Sequence, residues 1–165
     1  MHKFGIRSES EDSSLNNIYV CALFLRCNMQ KKIIEELLKL STVAFNKNEV
    51  PVAAIIVKEN NIISKAYNAR EMCKDVLGHA EIIAIRKANK KLKTWKLCDC
   101  DMYVTLKPCK MCQEIIKESR IKNVYYLLSN DKIINNNVNF IQLKMSINDK
   151  FKKLLTSFFF IKKIN

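Results

Sequence analysis

Two short motifs, far apart in the chain, constrain this sequence more than any other feature. His79-Ala80-Glu81 supplies an imidazole and a carboxylate, and Pro108-Cys109-Lys110-Met111-Cys112 supplies two thiols. One histidine with two cysteines suits a catalytic zinc ion, which keeps its fourth position for water, whereas structural zinc takes four protein ligands. If these three side chains bind one ion, the fold must bring the two motifs together.

Either motif alone is a weak signal. His-x-Glu arises by chance, and a Cys-x-x-Cys pair is also typical of a redox site or of half of a zinc knuckle. The combination of the two is the signature of zinc-dependent nucleobase deaminases, in which the glutamate does not bind the metal. We therefore expect Zn²⁺ as the cofactor, one ion per chain, held by His79, Cys109 and Cys112.

Helical periodicity predicts helices over residues 80–92 and 109–119, so that each motif opens a helix. The three-residue spacing of Cys109 and Cys112 puts both thiols on one helical face. Pro108 fits the first turn, because its missing N–H costs nothing there. The positive end of the helix dipole then helps to hold both cysteines as thiolates.

Glu81 lies beside the expected ligands without being needed as one. Hydrolytic deamination needs a proton taken from water, a proton delivered to a ring nitrogen and a proton delivered to the departing amine. Because a positioned carboxylate can perform all three transfers, we expect Glu81 to be the catalytic proton shuttle. The alternative is a carboxylate in the first turn of a helix, favoured only by the helix dipole.

The hydrophobic pattern predicts an α/β domain. From residue 30, apolar side chains recur at helical spacing to about Asn46, and the polar Glu59-Asn60-Asn61 between two apolar runs predicts a hairpin. Strands alternate with helices in the second half, which predicts a mixed central sheet with helices packed on it. The predicted strands are Val50–Lys58, Ile62–Tyr67, Asp101–Thr105 and Val124–Leu128, with a loop from Asn68 to Gly78.

The chain is strongly basic. Its 165 residues suit one domain, and 29 Lys and Arg against 16 Asp and Glu give a formal net charge of +13. Such an excess favours polyanionic partners such as nucleic acid. The alternative is compositional drift, because an AT-rich genome also produces a chain rich in Lys, Ile and Asn with only 2 Gly.

Seven cysteines, an odd number, are typical of reduced thiols, and we expect a cytoplasmic protein. Apart from the two candidate ligands, the cysteines are interpreted as small buried or incidental residues. They are Cys21, Cys27, Cys73, Cys98 and Cys100.

The N-terminal segment is interpreted separately. Ile18–Leu25 is apolar but too short to span a membrane, and acidic residues precede it where a secretory signal would be basic. We expect no membrane segment and no export. Met29 directly precedes the first predicted helix, so residues 1–28 are interpreted as a dispensable extension or an upstream misassigned start. Residues 29–165 then form a single zinc-dependent deaminase domain.

Residues 49–128 resemble the family of tRNA-specific adenosine deaminases, which convert the wobble adenosine of a tRNA anticodon to inosine. The resemblance implies a three-layer αβα cytidine-deaminase-like fold and attack of zinc-bound hydroxide on C6 of adenine, with release of ammonia. It also implies a tRNA anticodon stem-loop as substrate and a homodimer whose partner chain helps to line the site. The matching stretches are EVPVAAIIV, YNAR, GHAEIIAIRKA, MYVTLKPCKMCQEII and SRIKNVYY, and KKLLTSFFFIKKIN resembles the family's C-terminal helix.

The resemblance assigns zinc ligation to His79, Cys109 and Cys112 and proton transfer to Glu81. Asn68 matches a family asparagine that hydrogen-bonds the flipped base, and an amide with a donor and an acceptor suits an adenine edge. From the residues alone, a turn residue is an equally good interpretation of Asn68.

Phe158 and Phe159, with Lys162 beside them, match the family's aromatic and basic helix that meets the anticodon loop. Aromatic stacking and cationic contacts to phosphate are the interactions that hold single-stranded RNA loops. The alternative is that at least one of the three consecutive phenylalanines packs into the core, because all three cannot face solvent.

Two single residues and one three-residue segment depart from the family's pattern. Lys107 replaces the usual glutamate before Pro-Cys, and Ala53 replaces a glycine in the first strand. Leu128-Ser129-Asn130 replaces a short loop containing Arg and Asp that touches the RNA sugar and phosphate. These departures concern substrate handling and leave the expected zinc chemistry intact.

Two other functions compete with RNA editing. A small-molecule deaminase of guanine, cytosine or a nucleotide would share both motifs, but it has no physical reason to keep the basic excess and the aromatic C-terminal helix. An inactive, zinc-stabilised RNA-binding module would have no use for the carboxylate of Glu81.

Overall fold

The computed structural model describes the backbone of residues 12–129 and 138–164, and the side chains of 28–129 and 138–162. The chain divides between Lys32 and Ile33, and the second unit contains the whole sheet. In chain order the elements are α1 (Asp12–Asn46), β1 (Ala53–Lys58), β2 (Asn61–Tyr67), α2 (Arg70–Cys73), α3 (Ala80–Leu92), β3 (Cys100–Leu106), α4 (Lys110–Glu118), β4 (Asn123–Leu128), β5 (Asn139–Gln142) and α5 (Asn148–Ile164).

Helix α1 begins well before its predicted start near residue 30. It runs from Asp12 to Asn46 without interruption, since no glycine or proline occurs in that stretch to break it. Its buried residues recur at helical spacing, as the sequence pattern predicts. They are Ile33, Ile34, Leu37, Ser41 and Ala44. No described helix is long and apolar enough to cross a membrane.

The sheet has five strands in the order β2-β1-β3-β4-β5. The β1 strand pairs antiparallel with β2 and with β3, whereas β3, β4 and β5 run parallel. The parallel pair β3 and β4 is joined by α4, because parallel strands need a crossover connection. The carboxyl ends of β3 and β4 therefore lie at the same edge of the sheet.

The β1–β2 hairpin turns on two residues. Lys58 pairs with Asn61, which leaves Glu59 and Asn60 as the loop. Both loop residues have positive φ, 49° and 62°, as a type I′ turn requires. The sequence pattern predicts Asn61 in the turn, but this residue already begins β2.

Side-chain contacts place helices on both faces of the sheet. Ser64 donates its hydroxyl to the carbonyl oxygen of Ala84 in α3, 2.8 Å away, so α3 lies on the face to which Ser64 points. The next residue, Lys65, points to the other face and forms an ion pair with Glu36 of α1. Because residues on both faces of β1 are buried, the predicted three-layer αβα architecture is confirmed.

The core between the sheet and its helices is built mainly from aliphatic side chains. Ile56, Met102, Val104 and Val124 come from three adjacent strands, and Ile116 meets them from α4. Every one of these side chains is fully buried. This packing holds α4 against the sheet and so positions the residues at its start.

Two elements were missed by the sequence analysis. Strand β5 is only four residues long and begins with a polar Asn139, so neither its length nor its pattern indicates a strand. Helix α2, a single turn, interrupts the loop predicted from Asn68 to Gly78. Apart from the start of α1, element ends elsewhere lie within a few residues of the prediction.

Candidate metal centre and cavity

His79 is held at the start of α3 by a tightly packed loop. It is the N-cap residue of α3, with extended backbone angles of φ −76° and ψ 141°. The preceding Gly78 has no room for a side chain, because a Cβ there would lie 2.7 Å from the Cα of Arg70. Backbone hydrogen bonds from Gly78 to Asp75 and from Ala69 to Gly78, each 2.9 Å, close the loop. These constraints aim the imidazole of His79.

Cys109 and Cys112 lie at the start of α4. Cys109 is the N-cap residue, and the helix proper begins at Lys110, so Pro108 precedes the cap instead of occupying the predicted first turn. The Gln113 side-chain amide donates to the carbonyl oxygen of Pro108 over 2.7 Å. This bond ties the loop that carries Cys109 to the helix that carries Cys112.

The three predicted ligands converge. Nδ1 of His79 lies 3.8 Å from Sγ of Cys109 and 3.5 Å from Sγ of Cys112, and the three ligand atoms all lie within 4.8 Å of one another. Around a tetrahedral zinc ion, with bonds of about 2.3 Å to sulfur and 2.0 Å to nitrogen, ligand atoms are about 3.5 to 3.8 Å apart. The cluster therefore has the dimensions of a zinc site with three protein ligands.

The two thiols are strongly coupled. A hydrogen bond from the side chain of Cys112 lowers the pKa of Cys109 to about 5, although burial opposes the shift. The same hydrogen bond, together with burial, raises the pKa of Cys112. A divalent cation bound between the two sulfur atoms would supply the positive charge that holds both as thiolates.

Glu81 is buried beside the cluster. Burial is the main cause that raises its pKa from 4.5 to about 7, and the nearby Cys109 adds to the shift. Its Oε2 atom has no hydrogen-bond partner among the described residues, although it is shielded from solvent. A buried carboxylate with an open acceptor position and a pKa near neutrality is suited to exchange protons with a ligand.

The metal cluster opens into a cavity of about 360 Å³. His79, Glu81 and Cys109 form one wall, and residues from β3, α5 and the segments that follow α1 and β2 form the rest. Every residue predicted from the sequence to contact substrate lines this same cavity. They are Asn68, Phe158, Phe159 and Lys162.

The geometry agrees with a family comparison. Residues 27–128 match the model of the cytidine and deoxycytidylate deaminase zinc-binding region, which includes the whole metal cluster. The chain belongs to this deaminase family. Zinc is therefore the cofactor of the deaminase, as both the family match and the dimensions of the His-Cys-Cys cluster indicate.

The deaminase has curated relatives named tRNA-specific adenosine deaminase. The one from Rickettsia bellii is 48% identical over 101 residues, which cover 60% of this chain and 70% of that protein. Other relatives of this name are covered over as little as 55% of their length, so the chain spans between about half and 70% of the curated relatives it matches.

Solved structures have the same fold as the deaminase. One from a study of A-to-I editing by tRNA:A34 deaminases has a TM-score of 0.69 and 27% identity, covering 76% of this chain and 99% of that one. A guanine deaminase from Bacillus subtilis has a TM-score of 0.54 and 28% identity, covering 74% of this chain and 93% of that one. The fold is thus shared by deaminases named for RNA and for a free base.

Asn68 has a structural contact as well as a place in the cavity wall. Its Oδ1 accepts a hydrogen bond of 2.9 Å from the backbone N–H of Ala80, the first residue of α3. The side chain is 6% exposed. Asn68 therefore helps to fix the helix that carries His79 and Glu81, and its amide NH₂ group is the part left to donate to a ligand.

The phenylalanines of α5 differ in their surroundings. Phe158 is buried and packs edge-to-face on Phe45, with ring centroids 6.2 Å apart. At least one of the three consecutive phenylalanines thus packs into the core, as expected. Phe159 is 52% exposed and packs edge-on to Phe158 at 5.5 Å. The Lys162 ammonium lies 5.5 Å from the Phe158 ring centroid. The exposed, cavity-lining ring of this group is therefore Phe159.

Glu49 is a cavity residue that the sequence analysis did not single out. It is only 1% exposed, and its Oε1 accepts a hydrogen bond of 2.7 Å from the backbone N–H of Met72. This bond attaches the α2 segment to the residues that follow α1. A glutamate directly before a buried apolar strand was the available signal, and it lay within the EVPVAAIIV stretch.

The other cysteines, and the segment Leu128-Ser129-Asn130 that departs from the family's pattern, are described only in part. Cys73 and Cys98 are exposed and Cys100 is buried in the core, whereas the side chains of Cys21 and Cys27 lie outside the described residues. Leu128 ends β4 and Ser129 is exposed, and Asn130 also lies outside the described part of the chain.

We predict that Cys112→Ser lowers zinc occupancy at least tenfold, because the hydroxyl is a far weaker zinc ligand than a thiolate. Cys98→Ser is the matched control, since this cysteine is exposed and is not part of the cluster. The zinc content of this variant should equal that of the unmodified protein. Metal analysis after dialysis measures both. Equal zinc contents in the two variants would exclude Cys112 as a ligand.

Proposed function

We propose that this deaminase converts the wobble adenosine of a tRNA anticodon to inosine. The observation that carries the proposal is the composition of the cavity, in which the metal cluster and Glu81 share one space with the exposed ring of Phe159 and with Lys162. An aromatic ring and a cation at the mouth of a deaminase cavity suit a base presented by an RNA loop. The names of the curated relatives support the same substrate.

The reaction adds water to the base and releases ammonia. Zinc, held by His79, Cys109 and Cys112, would supply the polarisation that makes water reactive at neutral pH. Glu81 accepts the proton that this water loses and delivers it to N1 of adenine. It then takes the proton of the new hydroxyl group on C6 and transfers it to the amine, which leaves as ammonia while C6 becomes a carbonyl. The open Oε2 position and the raised pKa of Glu81 support this role.

The wall of the cavity would orient the base. The amide NH₂ of Asn68 donates to an acceptor on the adenine edge while its Oδ1 keeps the bond to Ala80. Phe159 stacks on an unpaired base of the loop, and Lys162 contacts phosphate. Phe158 supports Phe159 from below and contributes to the wall with its ring.

We further propose that residues 29–165 constitute the deaminase domain and that residues 1–28 are an extension to it. The start of the family match at residue 27 supports this boundary. We propose a homodimer as the working form and the cytoplasm as its location. The family resemblance supports the first and the reduced-thiol composition supports the second.

The experiment that tests the proposed function compares substrates. Zinc-loaded protein is incubated with an anticodon stem-loop carrying adenosine at the wobble position, and separately with free adenosine, cytosine and guanine. We expect inosine in the RNA alone, at a rate that falls as the salt concentration rises. Turnover of a free base instead would contradict the RNA substrate, and zinc-bound protein without any activity would support an inactive binding module.

We predict that Glu81→Gln retains zinc and lowers kcat for the stem-loop by about 10² to 10⁴, because the amide cannot carry the proton. The matched control is Glu118→Gln, an exposed glutamate at the end of α4, which should keep full activity. Single-turnover kinetics with parallel metal analysis separate the two effects. Loss of zinc from the Glu81 variant would contradict its assignment as a residue that does not bind the metal.

We predict that Phe159→Ala weakens binding of the stem-loop by about five- to hundredfold, the effect of losing one base–aromatic stack. Phe160→Ala removes an even more exposed ring, 66% against 52%, that does not line the cavity, and should change binding little. Fluorescence anisotropy with labelled RNA measures both. Equal losses would mean that the helix contacts RNA through general hydrophobicity and not through the cavity.

A further inference from the structure

Lys107 is a buried cation beside the metal cluster. It follows the last residue of β3 and precedes Pro108, and its backbone N–H donates to the carbonyl oxygen of Leu128 over 2.8 Å. The residue is only 7% exposed, and within the described part of the chain every other lysine is more exposed. Its backbone position is therefore fixed by the ends of two parallel strands, β3 and β4.

Among the described residues, the Lys107 ammonium has an aromatic partner and no acidic one. Its Nζ atom lies 5.6 Å from the ring centroid of Tyr126. Among the described residues, no carboxylate lies within ion-pair distance of this atom. Glu49, which lines the same cavity, accepts the Met72 backbone N–H through its Oε1. A ring face does not neutralise the charge of an ammonium, so Lys107 keeps its capacity to donate hydrogen bonds to an anionic oxygen.

A lysine in a cavity wall with no carboxylate within ion-pair distance among the described residues keeps its charge for an anionic ligand. Lys107 lines the same cavity as Glu81 and Cys109, so a ligand bound in this cavity would lie next to Lys107. Lys162 resembles it, because this second cavity lysine also lies over an aromatic ring. One of these lysines follows β3 and the other lies near the end of α5, and each contacts an aromatic ring. The charge of both therefore stays available to an anion in the cavity.

We propose that Lys107 is a substrate-binding residue that holds a phosphate oxygen of the nucleotide chain adjoining the base undergoing deamination. The inference rests on the proposed function, since a polynucleotide supplies a phosphate on each side of every base, whereas a free base supplies none. An ammonium group forms its strongest hydrogen bonds with anionic oxygens. Lys107 thereby favours a nucleotide within a chain over a free base in the same cavity.

The test uses stem-loops in which one phosphate is replaced by an uncharged methylphosphonate, on the 5′ or the 3′ side of the wobble adenosine. With unmodified protein, we expect one of the two replacements to lower kcat/KM about tenfold or more, the usual effect of losing a hydrogen bond to a charged group. This measurement needs no variant of the protein. If neither replacement lowers kcat/KM, the proposal is overturned.

Lys107→Met then identifies the residue responsible. This variant should convert the native stem-loop about tenfold or more slowly and should show no further loss with the sensitive methylphosphonate, because the contact is already absent. Lys107→Arg should restore most of the activity. The negative slope of log kcat/KM against log salt concentration should become less steep by about 0.7 in the Met variant, the value for one phosphate contact on a single strand.

Lys122→Met is the matched control, because it removes an exposed lysine that precedes β4, at the opposite end of that strand. It should keep the full methylphosphonate penalty. Additive losses in Lys107→Met, or loss of zinc from this variant, would overturn the phosphate contact and indicate a structural role. If unmodified protein does not convert the native stem-loop at all, the proposed function fails, and the inference fails with it.

Discussion

The convergence of two helix starts on one point is the constraint on which the rest of the structure depends. His79 caps α3 and Cys109 caps α4, and the ligand atoms of these two residues lie 3.8 Å apart. The N-terminus of a helix carries partial positive charge and unpaired N–H groups, so it favours thiolates and a polarised ligand. The sheet brings these two ends together, because α3 packs on β1 and β2 and α4 returns the chain from β3 to β4.

Rigid local contacts make this convergence specific. Gly78 is one of only two glycines in the chain, and it stands where backbone atoms of Arg70 leave no space for a Cβ. Elsewhere the chain tolerates positive φ at non-glycine residues, including Glu59, Asn60 and Lys93. Glycine is thus retained at a close approach of two backbone segments beside a ligand, while turns with left-handed backbone use other residues.

The cavity combines two kinds of chemistry. On the side of the metal cluster lie two groups with perturbed pKa values. Burial raises the pKa of Glu81, and a hydrogen bond from Cys112 lowers that of the half-buried Cys109. On the other side lie Phe159 and Lys162, which belong to the partly exposed face of α5. Buried titratable groups suit proton transfer, and exposed aromatic and cationic groups suit an RNA loop. Both sides border one space, and this links the chemistry to a substrate class.

The sequence alone determined the metal chemistry and most of the elements. The types and spacing of His79, Cys109 and Cys112 are sufficient to predict a zinc site, because few ligand sets combine one imidazole with two thiolates and an unligated carboxylate. Long periodic segments such as Ala80–Leu92 were predicted to within a residue or two. The four-residue β5 and the upstream extension of α1 were missed, since a short polar strand and a continuous helix without breakers have no distinct pattern.

Only the tertiary structure decided which residues meet. Both Phe158 and Phe159 line the cavity, but the structure buries Phe158 against Phe45 and leaves Phe159 exposed, although the two are adjacent in sequence and chemically identical. It placed Lys107 in the cavity wall with no acidic partner among the described residues, whereas the sequence presented this residue only as a departure from a pattern. Composition and spacing determine which side chains are available to the site. The burial and the contact partners of Phe158, Phe159 and Lys107 depend on how α5 and the strand ends pack over long range. The local sequence pattern does not encode this packing.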